Sequence, residues 1–245
     1  MLELKNISFT AETENGDKEI LNDISIKFED RFIAITGPNG GGKSTLAKII
    51  SGIYKPTSGK ILLDGRDITG LSITERAKAG ISYAFQQPVR FKGITVKDLI
   101  SLASNKDITV GEACEYLSQV GLCARDYVNR EVNASLSGGE LKRIEIATVL
   151  ARGTKISVFD EPEAGIDLWS FNSLIKVFEK MNSSVGGSII IISHQERILN
   201  IADKVAVIAA GKLKAFGKKS DILPELLATD TTCGVLADSL EGERC

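Results

Sequence analysis

Glycines surround a lysine and a serine near the start of the 245-residue chain, in the run GPNGGGKS at 37–44. The run fits the pattern GxxxxGK[ST], between a short apolar stretch at 31–36 and a helical pattern that begins at Lys43. In such a loop, backbone N–H groups close around nucleotide phosphates, the lysine adds a positive charge and the hydroxyl binds Mg²⁺. We therefore predict a phosphate-binding loop with Lys43 at the phosphates and Ser44 at the metal, in preference to a glycine-rich turn with a chance lysine.

Two adjacent acids, Asp160 and Glu161, follow an apolar stretch at 156–159. In nucleotide hydrolases that use a phosphate-binding loop, an aspartate at a strand end holds Mg²⁺. A neighbouring carboxylate can act as a general base that orients and activates the attacking water. We assign Asp160 to the metal and Glu161 to the water. Paired acids at a strand end are often merely solvated, so this assignment depends on the other motifs.

The pentapeptide LSGGE at 136–140 lies between the glycine-rich loop and the paired acids. Ser137, Gly138 and Gly139 stand at the predicted start of a helix. A hydroxyl and bare backbone N–H groups at a helix start can hold an anion. The pentapeptide therefore predicts a second surface that can bind phosphate.

Two polar residues follow predicted strands. Gln86 comes after the stretch 81–85, and His194, the only histidine, comes after the apolar stretch 188–192. Residues at such strand ends can reach a phosphate at the same edge of a sheet. The competing interpretations are a polar turn before a proline for Gln86, with Gln87 as the alternative register, and an incidental histidine for His194.

The spacing of apolar residues predicts the strands and helices that position these motifs. Residues 2–9 and 20–28 alternate apolar and polar side chains around a turn signal at Asn15, which predicts an antiparallel pair of strands. Short apolar stretches then alternate with helical patterns, which predicts an α/β fold with a mostly parallel core sheet. Helical patterns dominate about 88–150, which we interpret as an inserted helical lobe.

In their order along the chain, these motifs resemble the ATP-binding cassette (ABC) family over about residues 2–220. The resemblance implies the P-loop ABC ATPase fold in a single domain over 1–245, with a tail at about 221–245. It also implies that two cassettes bind two MgATP head to tail. ATP closes such a dimer, and hydrolysis with phosphate release opens it and moves an attached partner. Ser137 would then have no function within a single chain.

The resemblance also assigns the site residues. Glu161, His194 and Gln86 would be catalytic, with His194 at the γ-phosphate and Gln86 at Mg²⁺ and the attacking water. The metal ligands would be Ser44, Gln86 and Asp160. ATP would be bound by Phe9, Gly37, Pro38, Asn39, Gly40, Gly41, Gly42, Lys43, Ser44 and Thr45, and in trans by Ser137, Gly138, Gly139 and Asp167. Phe9 would stack on adenine; the alternative for Phe9 is a strand residue in the core.

The branch of the family depends on shorter markers. The run AGID at 164–167 and the run HQERIL at 194–199 resemble SufC, the ATPase of Suf-type iron–sulfur cluster assembly, as does FQQPV at 85–89. This resemblance implies a SufB-like scaffold protein as partner. SufC often has FSGGE where this chain has LSGGE. The alternative is the cytoplasmic ATPase subunit of an ABC membrane transporter, whose partner is a transmembrane subunit.

Apolar side chains gather just after Gln86, within residues 86–102. They are Val89, Phe91, Ile94 and Leu99. We expect this cluster to be the surface on which a partner docks; the alternative is the core of the helical lobe.

Composition excludes several other classes of protein. The net charge is −2, with 25% charged residues spread along the chain, so we expect no nucleic-acid partner. The apolar run at 189–192 is too short to span a bilayer, and the first residues lack the layout of a signal peptide. We therefore expect a cytoplasmic chain without membrane insertion. The cysteines at 114, 123, 233 and 245 lack CxxC spacing, which favours reduced thiols over a metal site.

Overall fold

The computed structural model describes residues 1–14, 16–87, 89–133, 135–184 and 187–230. The strands form one sheet of four and one sheet of six. The elements follow one another as β1 (Leu2–Thr13), β2 (Gly16–Phe28), β3 (Phe32–Thr36), α1 (Lys43–Ser51), β4 (Ser58–Leu63), β5 (Arg66–Asp67), α2 (Ile73–Ala79), β6 (Ile81–Ala84), α3 (Val96–Ser104), α4 (Val110–Gln119), α5 (Ala124–Tyr127), α6 (Gly138–Arg152), β7 (Ile156–Asp160), α7 (Leu168–Ser184), β8 (Ser188–Ile192), α8 (Glu196–Leu199), β9 (Lys204–Ala209), β10 (Lys212–Lys218) and α9 (Lys219–Asp230).

The six-stranded sheet has the order β10-β9-β3-β8-β7-β6. The strands from β9 to β6 run parallel, and β10 pairs antiparallel with β9 at one edge. Strands β3 and β7 are buried along their whole lengths, which is why their sequences are mostly apolar rather than alternating. The predicted mostly parallel core sheet is confirmed. Because parallel strands end at the same edge, the residues that follow β3, β6, β7 and β8 gather there.

The four-stranded sheet is antiparallel and has the order β2-β1-β4-β5. Strands β1 and β2 pair as far as Thr13 and Gly16, beyond the predicted limits of 2–9 and 20–28. The added residues of β1 are half-buried or exposed, so no apolar alternation marks them in the sequence. Asn15, at the predicted turn, lies outside the described residues. The N-terminal antiparallel part of the fold is confirmed.

Helices α3, α4 and α6 pack together and bury Val96, Ile100, Leu117 and Ile144 in one cluster with a face of the core sheet. These helices lie within the stretch predicted as a lobe. That lobe's extent as a separate unit, about 88–150, stays a prediction. Between β6 and α3 the described residues hold no helix, so the expectation of mainly helical structure is wrong for that segment.

Helix α2 was not predicted, and it contains a fully buried arginine. Arg76 is 0% exposed, and its guanidinium donates to the carbonyls of Ile49 at 2.5 Å, Ile50 at 2.9 Å and Thr69 at 2.8 Å. Ile49 and Ile50 lie in the last turn of α1, where unpaired carbonyls attract a cation. An arginine resembles a surface residue in any hydropathy pattern, so this packing could not be predicted locally.

The predicted tail at about 221–245 is described as far as residue 230, within α9. Cys233 and Cys245 lie outside the described residues, whereas Cys114 and Cys123 are free thiols. Within the described ranges, no helix combines the length and the apolar character needed to cross a bilayer.

Candidate active site

The predicted phosphate-binding loop runs from the end of β3 to the start of α1. Gly37 has a φ of 133°, and a Cβ there would overlap the carbonyl oxygen of Ile208 in β9, so glycine is required. Gly42 precedes α1 and has no side chain to cap its first N–H groups. The loop and the helix start line a cavity of about 330 Å³ through Asn39, Gly40, Gly42, Lys43, Ser44 and Thr45.

The Lys43 side chain is 5% exposed and turns back into the loop. Its ammonium donates to the carbonyls of Gly37 and Pro38, each at 2.8 Å. Burial lowers the pKa of Lys43, and the nearby charges of Glu161 and Asp160 oppose that shift. The loop therefore holds a cation at its centre, beside the cavity.

Phe9 is not among the described residues that line this cavity, and its stacking on adenine stays a prediction. Lys18 and Ile20 of β2 line one side, and Glu161 also lines the cavity. The Phe9 ring lies against Tyr54, with ring centroids 5.3 Å apart and an angle of 7° between the rings, and it packs on the core. These contacts correspond to the alternative interpretation of Phe9 as a strand residue. Ile20, which the sequence analysis missed, is the apolar side chain at the cavity.

Ser44 and Asp160 meet directly. Ser44 Oγ donates to Asp160 Oδ1 at 2.9 Å, and Asp160 is 2% exposed. The other carboxylate oxygen accepts the hydroxyl of Tyr83, on β6, at 2.8 Å. Burial, together with the charge of Asp160, raises the pKa of Tyr83, so the phenol stays a donor. Tyr83 was missed because its contact depends on the pairing of β6 with β7.

Glu161 and Gln86 also meet. Gln86 Nε2 donates to Glu161 Oε2 at 2.6 Å, so the structure selects Gln86 rather than Gln87 for this contact. Glu161 has a φ of 44°, in the left-handed region that is uncommon for residues other than glycine. Its backbone N–H donates to the carbonyl of Ile192 at 3.0 Å, which holds this conformation at the end of β8. Local backbone strain of this kind is typical of functional sites.

His194 follows β8 and is exposed. The preceding Ser193 is fully buried; its hydroxyl donates to Glu163 Oε1 and accepts the N–H of Gln195 at 3.0 Å. Burial raises the pKa of Glu163, whose other oxygen is buried without a hydrogen-bond partner among the described residues. The segment before His194 is thus tied to the loop after Glu161, while the contact of His194 with a phosphate stays a prediction.

Ser137 has a function within the single chain, contrary to our expectation. Its hydroxyl accepts the N–H of Glu140 at 3.3 Å, and Glu140 Oε2 accepts the N–H of Ser137 at 2.7 Å. This reciprocal capping box starts α6 at Gly138, where the pentapeptide predicts the start of a helix. The expectation failed because a glutamate three residues after the serine is enough to complete the cap.

The LSGGE glycines pack against the loop that contains Asp167. A Cβ on Gly139 would lie 2.6 Å from Ser170 Oγ, so the close approach requires glycine. Asp167 caps the start of α7: its Oδ1 accepts the N–H groups of Trp169 and Ser170, each at 3.0 Å. A Cβ on Gly138 would lie 3.2 Å from the carbonyl oxygen of Gly165, which is a tight contact. The residues assigned to ATP in trans are therefore brought together at the start of α6 and of α7.

Comparison with known proteins agrees with this geometry. The sequence profile of the family described as ABC transporter matches residues 21–164, which include the loop, LSGGE and the paired acids. The chain belongs to the ABC transporter family. It is an ABC ATPase, and the predicted fold class is confirmed.

Curated relatives of this ABC ATPase cover most of its length. An uncharacterized ABC transporter ATP-binding protein of Methanocaldococcus jannaschii is 41% identical over 216 residues, which are 84% of this chain and 86% of the relative. The energy-coupling factor transporter ATP-binding protein EcfA1 of Mycoplasma mobile is 37% identical and covers 91% of this chain and 82% of its own.

Solved structures show the same fold. A dimeric ATP-binding cassette in a post-hydrolysis state, bound to ADP and Pi, superposes with a TM-score of 0.79 at 25% identity, covering 89% of this chain and 99% of that one. The cbiO1 protein of Clostridium perfringens, part of an ABC transporter complex, has a TM-score of 0.75 at 27% identity, covering 94% and 93%.

The residues around Ser44 fit a magnesium ion. A hydroxyl and a carboxylate in direct contact are the hard oxygen ligands that Mg²⁺ prefers, and Mg²⁺ completes its shell with water and phosphate. The predicted metal role of Gln86 stays a prediction; the amide nitrogen donates to Glu161, and a metal would be bound by the amide oxygen.

Proposed function

We propose that this ABC ATPase is the ATP-binding subunit of a membrane transporter, whose transmembrane part is a separate polypeptide. Support comes from its relatives, which cover most of the chain and carry the names of transporter ATP-binding proteins, EcfA1 and the spermidine/putrescine import protein PotA of Mesoplasma florum among them. These names favour the transporter branch over the SufC branch that the short sequence markers resemble.

The chemistry proposed for the chain is hydrolysis of MgATP. The observation that carries it is the convergence of Ser44 on Asp160 and of Gln86 on Glu161 at one sheet edge. Lys43 and the N–H groups at the start of α1 hold the phosphates. Bound Mg²⁺, held by Ser44 and Asp160, would neutralise charge on the phosphates.

Glu161 accepts the proton of the attacking water in this proposal. The amide of Gln86, 2.6 Å from the Glu161 carboxylate, orients that carboxylate. His194 contacts the γ-phosphate. Each of these groups follows the end of a parallel strand, so one rigid sheet positions all of them.

Self-association on ATP binding completes the site in this proposal. Ser137, Gly138, Gly139 and Asp167 lie together and would face the nucleotide of a second copy. The Ser137 hydroxyl oxygen accepts a hydrogen bond within its own chain, which leaves its hydrogen able to donate to a phosphate. Two solved cassettes of this fold are dimers, one of them with ADP and Pi bound.

A groove beside Gln86 is the proposed docking surface for the partner. It encloses about 180 Å³ between β6, α3 and α6, and its lining includes Phe85, Val89, Phe91 and Leu99. Phe85 and Val89 are 44% and 47% exposed. Phe91 and Leu99 pack against the core, so they serve the lobe as well as the groove. Val89 is therefore the better position for a test than Phe91.

The SufC-type function, with a SufB-like scaffold as partner, is the second candidate. The observation that favours it is a contact between one marker run and the helix that follows the other. Arg197, in the run HQERIL, donates to Asn172 and lies 5.8 Å above the Phe171 ring, both on the helix that follows AGID. The run HQERIL thus packs on the helix that follows AGID.

Purification of the tagged chain from its own cells separates the candidates. After gentle detergent extraction, we expect the chain in the membrane fraction with a partner that has transmembrane spans. A soluble, strand-rich partner in the supernatant would instead support the SufC-type function.

Val89→Asp tests the docking surface. This variant should lose the partner while ATP binding persists, because the cavity at Lys43 is unchanged. Retention of the partner by Val89→Asp would contradict the proposed docking surface.

A further inference from the structure

A buried ion pair on α6 holds the backbone that leads to Gln86. Lys142 Nζ lies 3.0 Å from Glu145 Oε2, and the two side chains are 1% and 15% exposed. The Lys142 ammonium also donates to the carbonyls of Phe85 and, at 3.1 Å, of Gln86. The other oxygen of Glu145 accepts the N–H of Phe85 at 2.9 Å. Together the two side chains bind both backbone polar groups of Phe85.

These polar contacts restrain a segment that has little apolar anchoring. The Phe85 side chain is 44% exposed and makes an edge contact with Tyr83, and Gln86 is exposed. The side-chain amide of Gln86 in turn donates to the Glu161 carboxylate at 2.6 Å. A shift of the backbone at Phe85 would therefore change where the Gln86 amide meets Glu161.

The pair has an energetic cost that packing alone does not explain. Removal of two charges from water opposes folding, and apolar side chains of similar volume often fill such a place without loss of stability. Burial raises the pKa of Glu145, and the charge of Lys142 opposes that shift. The charged pair forms hydrogen bonds to the backbone of Phe85 and Gln86, which an apolar pair could not form.

We propose that Lys142 and Glu145 are positioning residues for ATP hydrolysis, which act through Gln86 on Glu161 without touching the nucleotide. The proposal rests on the proposed roles of Gln86 and Glu161. Both positioning residues lie on α6, the helix that Ser137 caps. A displacement of the LSGGE end of α6 would therefore move Gln86 of the same chain.

The test uses the full chain with Lys142→Met and Glu145→Leu combined, since apolar side chains leave no buried charge unpaired. We expect kcat to fall by about tenfold or more, because small misplacement of catalytic groups is costly. The KM for ATP should change by less than about twofold, since the loop around Lys43 is untouched. In a Gln86→Ala background the same pair of substitutions should change kcat by less than about twofold, because the residue through which they act is gone.

Lys155→Met is the matched control, because Lys155 pairs with Asp64 at the surface and kcat should stay native. If the double variant does not fold, Glu145→Gln alone serves in the same two backgrounds. Native kcat in the variant, or an equal loss with and without Gln86, would overturn the proposal. A Gln86→Ala chain with native kcat would instead refute the role of Gln86 itself, and with it the proposal.

Discussion

Ser44 and Asp160 are joined by a 2.9 Å hydrogen bond although they lie 116 positions apart in the chain. The bond connects the first turn of α1 with the acidic end of β7. It places two oxygen ligands suited to Mg²⁺ at the edge of the core sheet. Tyr83, which donates to the other oxygen of Asp160, is the third member of this arrangement.

Tyr83→Phe should weaken the response to magnesium. The substitution removes the hydroxyl that orients Asp160, and groups that orient metal ligands typically contribute 10- to 100-fold in metal affinity. We expect the Mg²⁺ concentration for half-maximal ATPase activity to rise by about tenfold. Because the raised pKa of Tyr83 keeps the phenol protonated, the effect should be the same across neutral and mildly alkaline pH. Titration of ATPase activity with Mg²⁺ at two pH values measures this.

Tyr116→Phe is the control, because Tyr116 packs against the lobe core, away from Asp160. Its magnesium titration should superpose on that of the native chain. The same curve for Tyr83→Phe would show that the bond to Asp160 has no functional role.

Glu161→Gln should trap an ATP-bound dimer. Loss of the general base lowers hydrolysis by about 10²- to 10⁴-fold, so the closed state persists. Trp169, the only tryptophan, is 81% exposed beside Asp167 and provides an intrinsic reporter. We expect an earlier elution volume in size-exclusion chromatography with MgATP, together with a blue shift of Trp169 emission.

The same variant with Lys43→Ala added should stay monomeric, because it cannot hold the phosphates. If the Glu161→Gln chain elutes as a monomer in saturating MgATP, closure of the isolated chain by ATP is refuted.

Ser137→Ala should produce two separable defects. Loss of the helix cap should lower the free energy of unfolding by about 1 kcal/mol. Loss of the hydroxyl at the second copy's phosphate should also prevent dimerisation in the Glu161→Gln background. Thr109→Ala removes an equivalent capping box from α4 and should cause the first defect alone. Urea unfolding and size-exclusion chromatography measure the two effects. If the Ser137→Ala chain still dimerises, Ser137 caps α6 but does not contribute to the binding of the second copy.

Arg76→Met should destabilise the fold strongly. The methionine fills similar space but leaves carbonyls of Ile49, Ile50 and Thr69 without their donor. Each buried, unsatisfied group costs about 1–3 kcal/mol, so we expect a loss of at least about 3 kcal/mol. Arg66→Met, at an exposed position of β5, should change stability by less than about 0.5 kcal/mol. Similar urea midpoints for both variants would contradict this account.

Local patterns predicted the elements that bury continuous apolar faces and missed those fixed by single contacts. Strand β8 was predicted with its observed limits, because its isoleucines are buried on both faces. Helix α2 was missed because its buried residue is Arg76 rather than an apolar side chain. The long hairpin of β1 and β2 was predicted too short, because its outer half lacks alternation.

The amino-acid sequence by itself determined the family, the order of the motifs and the identity of the residues at the sheet edge. It could do so because a phosphate-binding loop and LSGGE are local, with glycines required where the backbone turns or approaches closely. Only the tertiary structure decided which residues hold the candidate site from behind: Tyr83 contacts Asp160, and Lys142 with Glu145 contacts the backbone of Phe85. Those contacts join residues 77 and 57 to 60 positions apart, and strand order and helix packing, rather than any local pattern, bring them together.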